Sequence, residues 1–231
     1  MIPLKDLTPR RSFPVMTLLL IVVNFLVFFY QLSLPTKAAE TLVRTYGLVP
    51  IRIQYALAGS HHVTLSRAFL PFFTCMFLHG GWMHIIGNMW FLWIFGGNVE
   101  DRFGSLPYLL VYLVCGLGSG VSQVLFSWGS TIPSIGASGA ISGVLGAYAV
   151  FFPGSRILTL VPLFVIWFLA RIPAIIFIGL WFVVQFLSGL GSLGSANTGG
   201  VAWWAHVGGF ALGAIIALAA KSQTRPNAYG L

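Results

Sequence analysis

Ser138 stands in Ile135-Gly-Ala-Ser-Gly-Ala-Ile-Ser-Gly143, where small residues lead straight into a long apolar run. A serine hydroxyl is a weak nucleophile until a base takes its proton, and neutral imidazole is the side chain suited to that at neutral pH. His206, in Ala205-His-Val-Gly-Gly-Phe-Ala-Leu-Gly213, is the candidate base. Acyl transfer also needs donors for a developing oxyanion. A helix starting at Ser138 would offer backbone N–H groups and its positive dipole end. His84 and Asn88 are four residues apart, so on a helix they share a face and can aim at one point. Each of these residues also has a plainer reading, as a polar group satisfying a hydrogen bond between packed helices. Ser142 reads as a small packing residue, and His79 as a residue that caps or lines the cavity. His61 and His62 lie in a polar segment and are given no chemical role.

The rest of the composition narrows the chemistry. The acids are Asp6, Glu40, Glu100 and Asp101, none inside an expected membrane span. That argues against an aspartyl mechanism, which needs two carboxylates at depth, and leaves no acid to orient a histidine as the third member of a triad. No His-Glu-x-x-His motif occurs, and Cys75 and Cys115 read as free buried thiols; neither a metal nor a cofactor is expected. Only 7% of the 231 residues are charged and 58% are hydrophobic, the profile of a polytopic membrane protein. The net charge of +8 comes from scattered Lys and Arg, with no basic helix face to follow a phosphate backbone, so nucleic acid is not an expected partner.

Positioning the four residues requires spans, each of roughly 20 apolar residues. Dividing the uncharged intervals predicts an all-α polytopic bundle of six spans in one domain, at about 15–34, 82–99, 106–127, 137–152, 173–187 and 201–220. Residues 37–67 form the one long polar loop, and the Gly- and Ser-rich stretch 188–200 reads as a flexible loop. The basic start, Met1 to Arg11, precedes a long apolar run without a small-residue cleavage site and is read as leading into a retained first span. The apolar run Ile157 to Ala170 is short for a span and holds Pro162, so it is expected to be interfacial or re-entrant. Its placement decides the chemistry. If it does not cross, the helices bearing His84, Ser138 and His206 enter from one face; if it does, His206 is carried to the opposite face. With six spans, Lys5, Arg10, Arg11, Arg102, Arg156, Arg171, Lys221 and Arg225 lie on the side of the termini, against Lys37, Arg44, Arg52 and Arg67 in the long loop. The bias puts both termini in the cytoplasm.

Ala205, Gly209 and Gly213 recur every four residues, as do Gly139, Gly143 and Ala147. Such small-residue faces let membrane helices approach closely and are common as simple packing seams; here one carries a histidine and the other begins at a serine. Taken with His79-Gly-Gly-Trp-Met-His84-Ile-Ile-Gly-Asn88, Glu100-Asp-Arg102 and Gly136-Ala-Ser138-Gly139, in that order, the chain resembles the rhomboid intramembrane serine proteases. The resemblance covers about residues 72–213. It implies Ser138 as nucleophile, His206 as general base, an oxyanion hole of His84, Asn88 and the Ser138 backbone N–H, and cleavage of substrate transmembrane helices near their outer ends. Two features depart from the family pattern. Ser142 stands where many members have a tyrosine packed on the catalytic histidine, and a Trp-Arg pair usual in the first outer loop is replaced by Leu70-Pro-Phe-Phe-Thr74. The expected partners are substrate membrane helices and the lipid bilayer, and the expected location is a bacterial cytoplasmic membrane. The alternatives are an inactive relative that binds membrane helices, or a small-solute transporter; the latter lacks an intramembrane acid.

Overall fold

The computed structural model describes residues 1–61, 63–193 and 201–223, which excludes His62, most of the glycine- and serine-rich stretch and the basic tail with Arg225. After a short strand, β1 (Ile2–Asp6), the apolar run between Pro14 and Pro35 forms α1 (Val15–Ser33). Proline disfavours helix in the residue before it, and Leu34 is extended accordingly. The long polar loop carries α2 (Thr36–Tyr46), α3 (Pro50–Leu57) and α4 (Leu65–Phe69), followed by α5 (Pro71–Thr74). Then come α6 (Trp82–Phe103) and α7 (Ser105–Phe126), with Gly104 between them at φ 84°, a left-handed value that lets the chain reverse in one residue. α8 (Ser138–Phe151), β2 (Arg156–Leu163), β3 (Ile166–Pro173), α9 (Ala174–Ser192) and α10 (Trp203–Gln223) complete the order. Helix α9 continues past Leu187, so Ser188 to Ser192 are helical and not part of a loop.

The fold is mostly helical but not all-α. β1, β2 and β3 form a three-stranded antiparallel sheet in that order, with Ile2 opposite Leu160, Arg156 opposite Pro173 and Leu163 opposite Ile166. The apolar run after Arg156 therefore folds back on itself at Phe164 and Val165. It is too short to cross as a helix, contains Pro162 and is rich in aromatic and β-branched residues that suit strands. β1 supplies backbone partners for the second edge of β2. A hairpin returns the chain to the side where it began, so α10 starts on the same side of the bundle as α8.

Among the described residues, four helices are long and apolar enough to cross a membrane: α1, α7, α9 and α10. A fifth span is made if α6 is joined to the bent segment before it. α8, with 14 residues, is shorter than these but lies at the centre, and Gly139 to Tyr148 are buried without interruption. Lipid tails give helices no hydrophobic reason to associate, so close backbone contact must hold them. A Cβ on Gly209 would overlap the Gly139 carbonyl, and one on Gly213 the Gly143 carbonyl. Gly139 and Gly143 themselves turn their bare faces to Ser119 and Cys115 of α7. Gly146 is the α8 residue whose missing side chain admits α10, at the Phe210 carbonyl. The seam thus joins three helices and not two.

The N-terminal segment is tied to this centre. Glu100, 1% exposed, accepts hydrogen bonds from the backbone N–H groups of Met16 (2.9 Å) and Thr17 (2.8 Å), the Thr17 hydroxyl (2.8 Å) and the Ser105 hydroxyl (2.6 Å). A carboxylate at the start of α1 takes up orphan N–H groups and complements the helix dipole. Asp6, the last residue of β1, accepts from the Tyr148 hydroxyl of α8 at 2.7 Å and pairs with Asn98 of α6.

Candidate active site

Ser138 opens α8, so its N–H is among the first-turn amides without an intrahelical acceptor. The loop before it is fixed by three backbone bonds: Leu48 and Ser134 exchange N–H···O bonds at 3.0 and 2.8 Å, and the Gly136 N–H donates to the Cys75 carbonyl at 2.9 Å. Gly136 has φ 123°, where a side chain is strained, and a Cβ there would lie 2.6 Å from His84 Nε2. Glycine at 136 therefore allows both the turn into α8 and the approach of the His84 ring.

Ser138 Oγ lies 2.7 Å from His206 Nε2, and His206 Nδ1 lies 2.7 Å from Gln185 Oε1 on α9. An amide oxygen only accepts. Nδ1 therefore carries the proton, and Nε2 is left as the acceptor for the serine hydroxyl. Trp181, one turn before Gln185, faces the His206 ring at 5.9 Å between centroids, and Trp203 meets it edge-on at 6.3 Å. The start of α10 is held to α7 by Gln123 Oε1, which accepts from the Ala205 N–H at 3.1 Å, and by the Ser122 hydroxyl, which donates to the Trp204 carbonyl at 2.7 Å.

On α6, the Gly80 N–H donates to His84 Nδ1 at 3.2 Å. That bond makes Nδ1 the acceptor and puts the ring proton on Nε2, the nitrogen turned toward Gly136. Asn88 is buried, and its side-chain Nδ2 has no hydrogen-bond partner among the described residues. The start of α6 is fixed from α1, where the Gln31 side chain donates to the His79 carbonyl at 3.1 Å and accepts from the His79 N–H at 3.0 Å. His79 packs its ring against His84 at 5.1 Å. The Ser142 hydroxyl donates to the Ser138 carbonyl at 2.6 Å, a back-bond within the helix.

All four candidate residues line one cavity of about 690 Å³, together with Gln185 and Trp181. Sequence reading singled out Ser138, His206, His84 and Asn88, but not Gln185. A glutamine inside a fully apolar span is the signal that could have marked it, because an intramembrane polar side chain needs a partner. Among the described residues no three His, Cys, Asp or Glu side chains are grouped to hold a metal. The arrangement can deprotonate a hydroxyl with an oriented neutral imidazole and can present N–H donors from α6 and α8 beside it.

Comparison with known proteins identifies relatives of the chain. The chain is 33% identical over 143 residues to RHOMBOID-like protein 4 of Arabidopsis thaliana, 62% of this chain and 32% of that one. It is 33% identical over 135 residues to Rhomboid protease GluP of Bacillus subtilis, 58% of this chain and 24% of that one. RHOMBOID-like protein 6, mitochondrial, of Arabidopsis thaliana is 42% identical over 74 residues, 32% of this chain and 24% of that one. The matches span about a quarter to a third of these relatives' length. The Rhomboid domain family matches residues 66–223, most of the sequence and the whole of the cavity just described, and the chain belongs to that family.

Proposed function

We propose that the chain is an intramembrane serine endopeptidase that cleaves transmembrane segments of other membrane proteins. The observation that carries this reading is the run of two 2.7 Å hydrogen bonds from Ser138 through His206 to Gln185, inside a bundle of apolar helices. His206 Nε2 takes the Ser138 proton as Oγ attacks the scissile carbonyl carbon, then gives it to the leaving amine. Water next attacks the acyl ester, losing its proton to the same nitrogen, and Ser138 is restored. The carbonyl oxygen, negative in both tetrahedral intermediates, is met by His84 Nε2–H, Asn88 Nδ2–H and the Ser138 N–H. Asn88 suits that role because its buried donor otherwise lacks a partner among the described residues. GluP is named a rhomboid protease, and its similarity to this chain supports the same chemistry.

The bundle is read as six spans, with α6 and the short α8 added to the four long helices. The excess of Lys and Arg beside β1, the inner ends of α6 and α10, and the hairpin supports a cytoplasmic location for both termini. A substrate helix reaches the cavity from the lipid between α6 and α9. Toward the cytoplasmic end these helices touch through the rings of Phe91, Phe95 and Phe177; above that contact Met83 and Gly87 of α6 and Trp181 of α9 line the cavity. The scissile peptide must leave its helix to reach Ser138, so segments with small, helix-breaking residues are preferred substrates.

The test is to incubate purified protein with a fluorophosphonate and, separately, with a model transmembrane substrate in liposomes. Wild type is labelled and cleaves; Ser138→Ala does neither; His206→Ala loses both labelling and cleavage while keeping its fold. Cleavage by Ser138→Ala at the wild-type rate overturns the proposal.

A further inference from the structure

The hairpin formed by β2 and β3 has no role in the chemistry above, yet its distal half is the most exposed apolar segment described. Every residue from Leu163 to Leu169 is large and apolar, and all seven are exposed, with Phe164 at 95% and Val165 at 92%. The base of the hairpin is different. Ile157 and Thr159 are buried against the bundle, and β1 covers the β2 edge as far as Leu160. Both strands are bounded by arginine, at Arg156 and Arg171, and no charged residue lies between them. A contiguous apolar patch of this kind marks an interaction surface.

Three observations identify what covers it. First, β3 runs directly into α9 at Pro173 and Ala174, so the hairpin leaves the bundle where a lipid-facing helix begins. The patch continues the surface already facing the bilayer. Second, β3 is an edge strand whose outer N–H and C=O groups face away from the sheet. Such groups are not tolerated bare in the hydrocarbon centre, which limits the hairpin to the headgroup and acyl boundary. There Trp167 has the amphipathic ring typical of that depth, and the arginines at the base reach the headgroups. Third, Phe164 is the first of two turn residues and has φ 52°, a conformation that glycine or asparagine adopts with less strain. The turn carries a bulky ring where backbone geometry alone would favour a small polar residue.

From these features we infer that the β2–β3 hairpin is a monotopic membrane anchor. Its tip is inserted in the interface of the leaflet on the N-terminal side, and it holds the foot of α9 at a fixed depth. The partner is lipid, and the inference rests only on the bundle being membrane-embedded. It is independent of whether Ser138 is catalytic.

The test places single nitroxide labels on otherwise cysteine-free protein at Phe164→Cys, at Leu180→Cys on the lipid-facing side of α9, and at Lys5→Cys on β1. Each is reconstituted at low density in phosphatidylethanolamine and phosphatidylglycerol liposomes. Collision with oxygen, which concentrates in lipid, is compared with collision with a polar nickel chelate. The expected oxygen-to-nickel ratio at position 164 is severalfold above that at position 5 and nearer to that at position 180. A ratio at 164 equal to that at 5 overturns the inference, as does dipolar broadening at 164, which would mean that a second copy covers the tip. Ser138 labelling in the same liposomes reports the catalytic reading separately, so the two can fail independently.

Discussion

Gln185 fixes which nitrogen of His206 is free to act, because its amide oxygen can only accept. Removing that acceptor leaves the ring free to present the wrong tautomer to Ser138. Gln185→Leu is therefore expected to lower kcat about 10- to 100-fold with little change in KM, the pattern of a lost transition-state interaction. Asn88→Ala is expected to cost more, about 100- to 1,000-fold in kcat, as for loss of an oxyanion donor. Steady-state kinetics on one transmembrane substrate checks both, and an unchanged kcat for Gln185→Leu would remove it from the site. The residues that come together in the cavity were legible from type and spacing, since a serine at a helix mouth and a His-x-x-x-Asn pair are local patterns. Gln185 is legible only as a polar exception in an apolar run, and its partner, 21 residues away, cannot be read from that. Nor was the true orientation of Gly139 and Gly143, since a small-residue repeat does not say which neighbour it faces.

At the scale of elements, the distance between Ser138 and His206 is held by backbone contacts of α10 with α8. Gly213 meets the Gly143 carbonyl with no room for a Cβ, whereas at Gly179 of α9 no atom of the described residues is in the way of one. The two positions should respond with opposite signs. Gly213→Val is expected to destabilise the protein by at least about 2 kcal/mol through overpacking, and Gly179→Ala to stabilise it by about 0.5–1 kcal/mol through helix propensity. Thermal unfolding in one detergent measures both, and equal shifts would refute the seam. The four long helices α1, α7, α9 and α10 could be read from the sequence because a membrane span must be long, apolar and nearly uncharged. The sheet could not. A short apolar run has no periodicity that separates strand from buried helix, and the strand that completes the sheet, β1, pairs with residues some 150 positions away.

At the scale of the molecule, the membrane class followed directly from the scarcity of charge. The depth of the site did not, because it depends on how short α8 is. Its 14 residues span about 21 Å at 1.5 Å per residue, against a hydrocarbon thickness of about 30 Å. With its inner end level with the other helices, as in the proposed six-span arrangement, α8 would hold Ser138 below the outer surface, and the bond cut should be chosen by depth. Two leucines inserted in a substrate helix just outside the scissile bond should move the cut toward the insertion, as read by mass spectrometry of the products; a cut that stays with its flanking sequence would refute this. The same architecture links entry to reactivity. α8 and α10 are locked together by their glycines, whereas α9 buries few of its residues and lends Gln185 to His206. Under the proposed function, an incoming helix that displaced α9 would also draw Gln185 away from His206. The door and the firing pin would then share one helix, and a protease built this way would idle while open and be armed by closing.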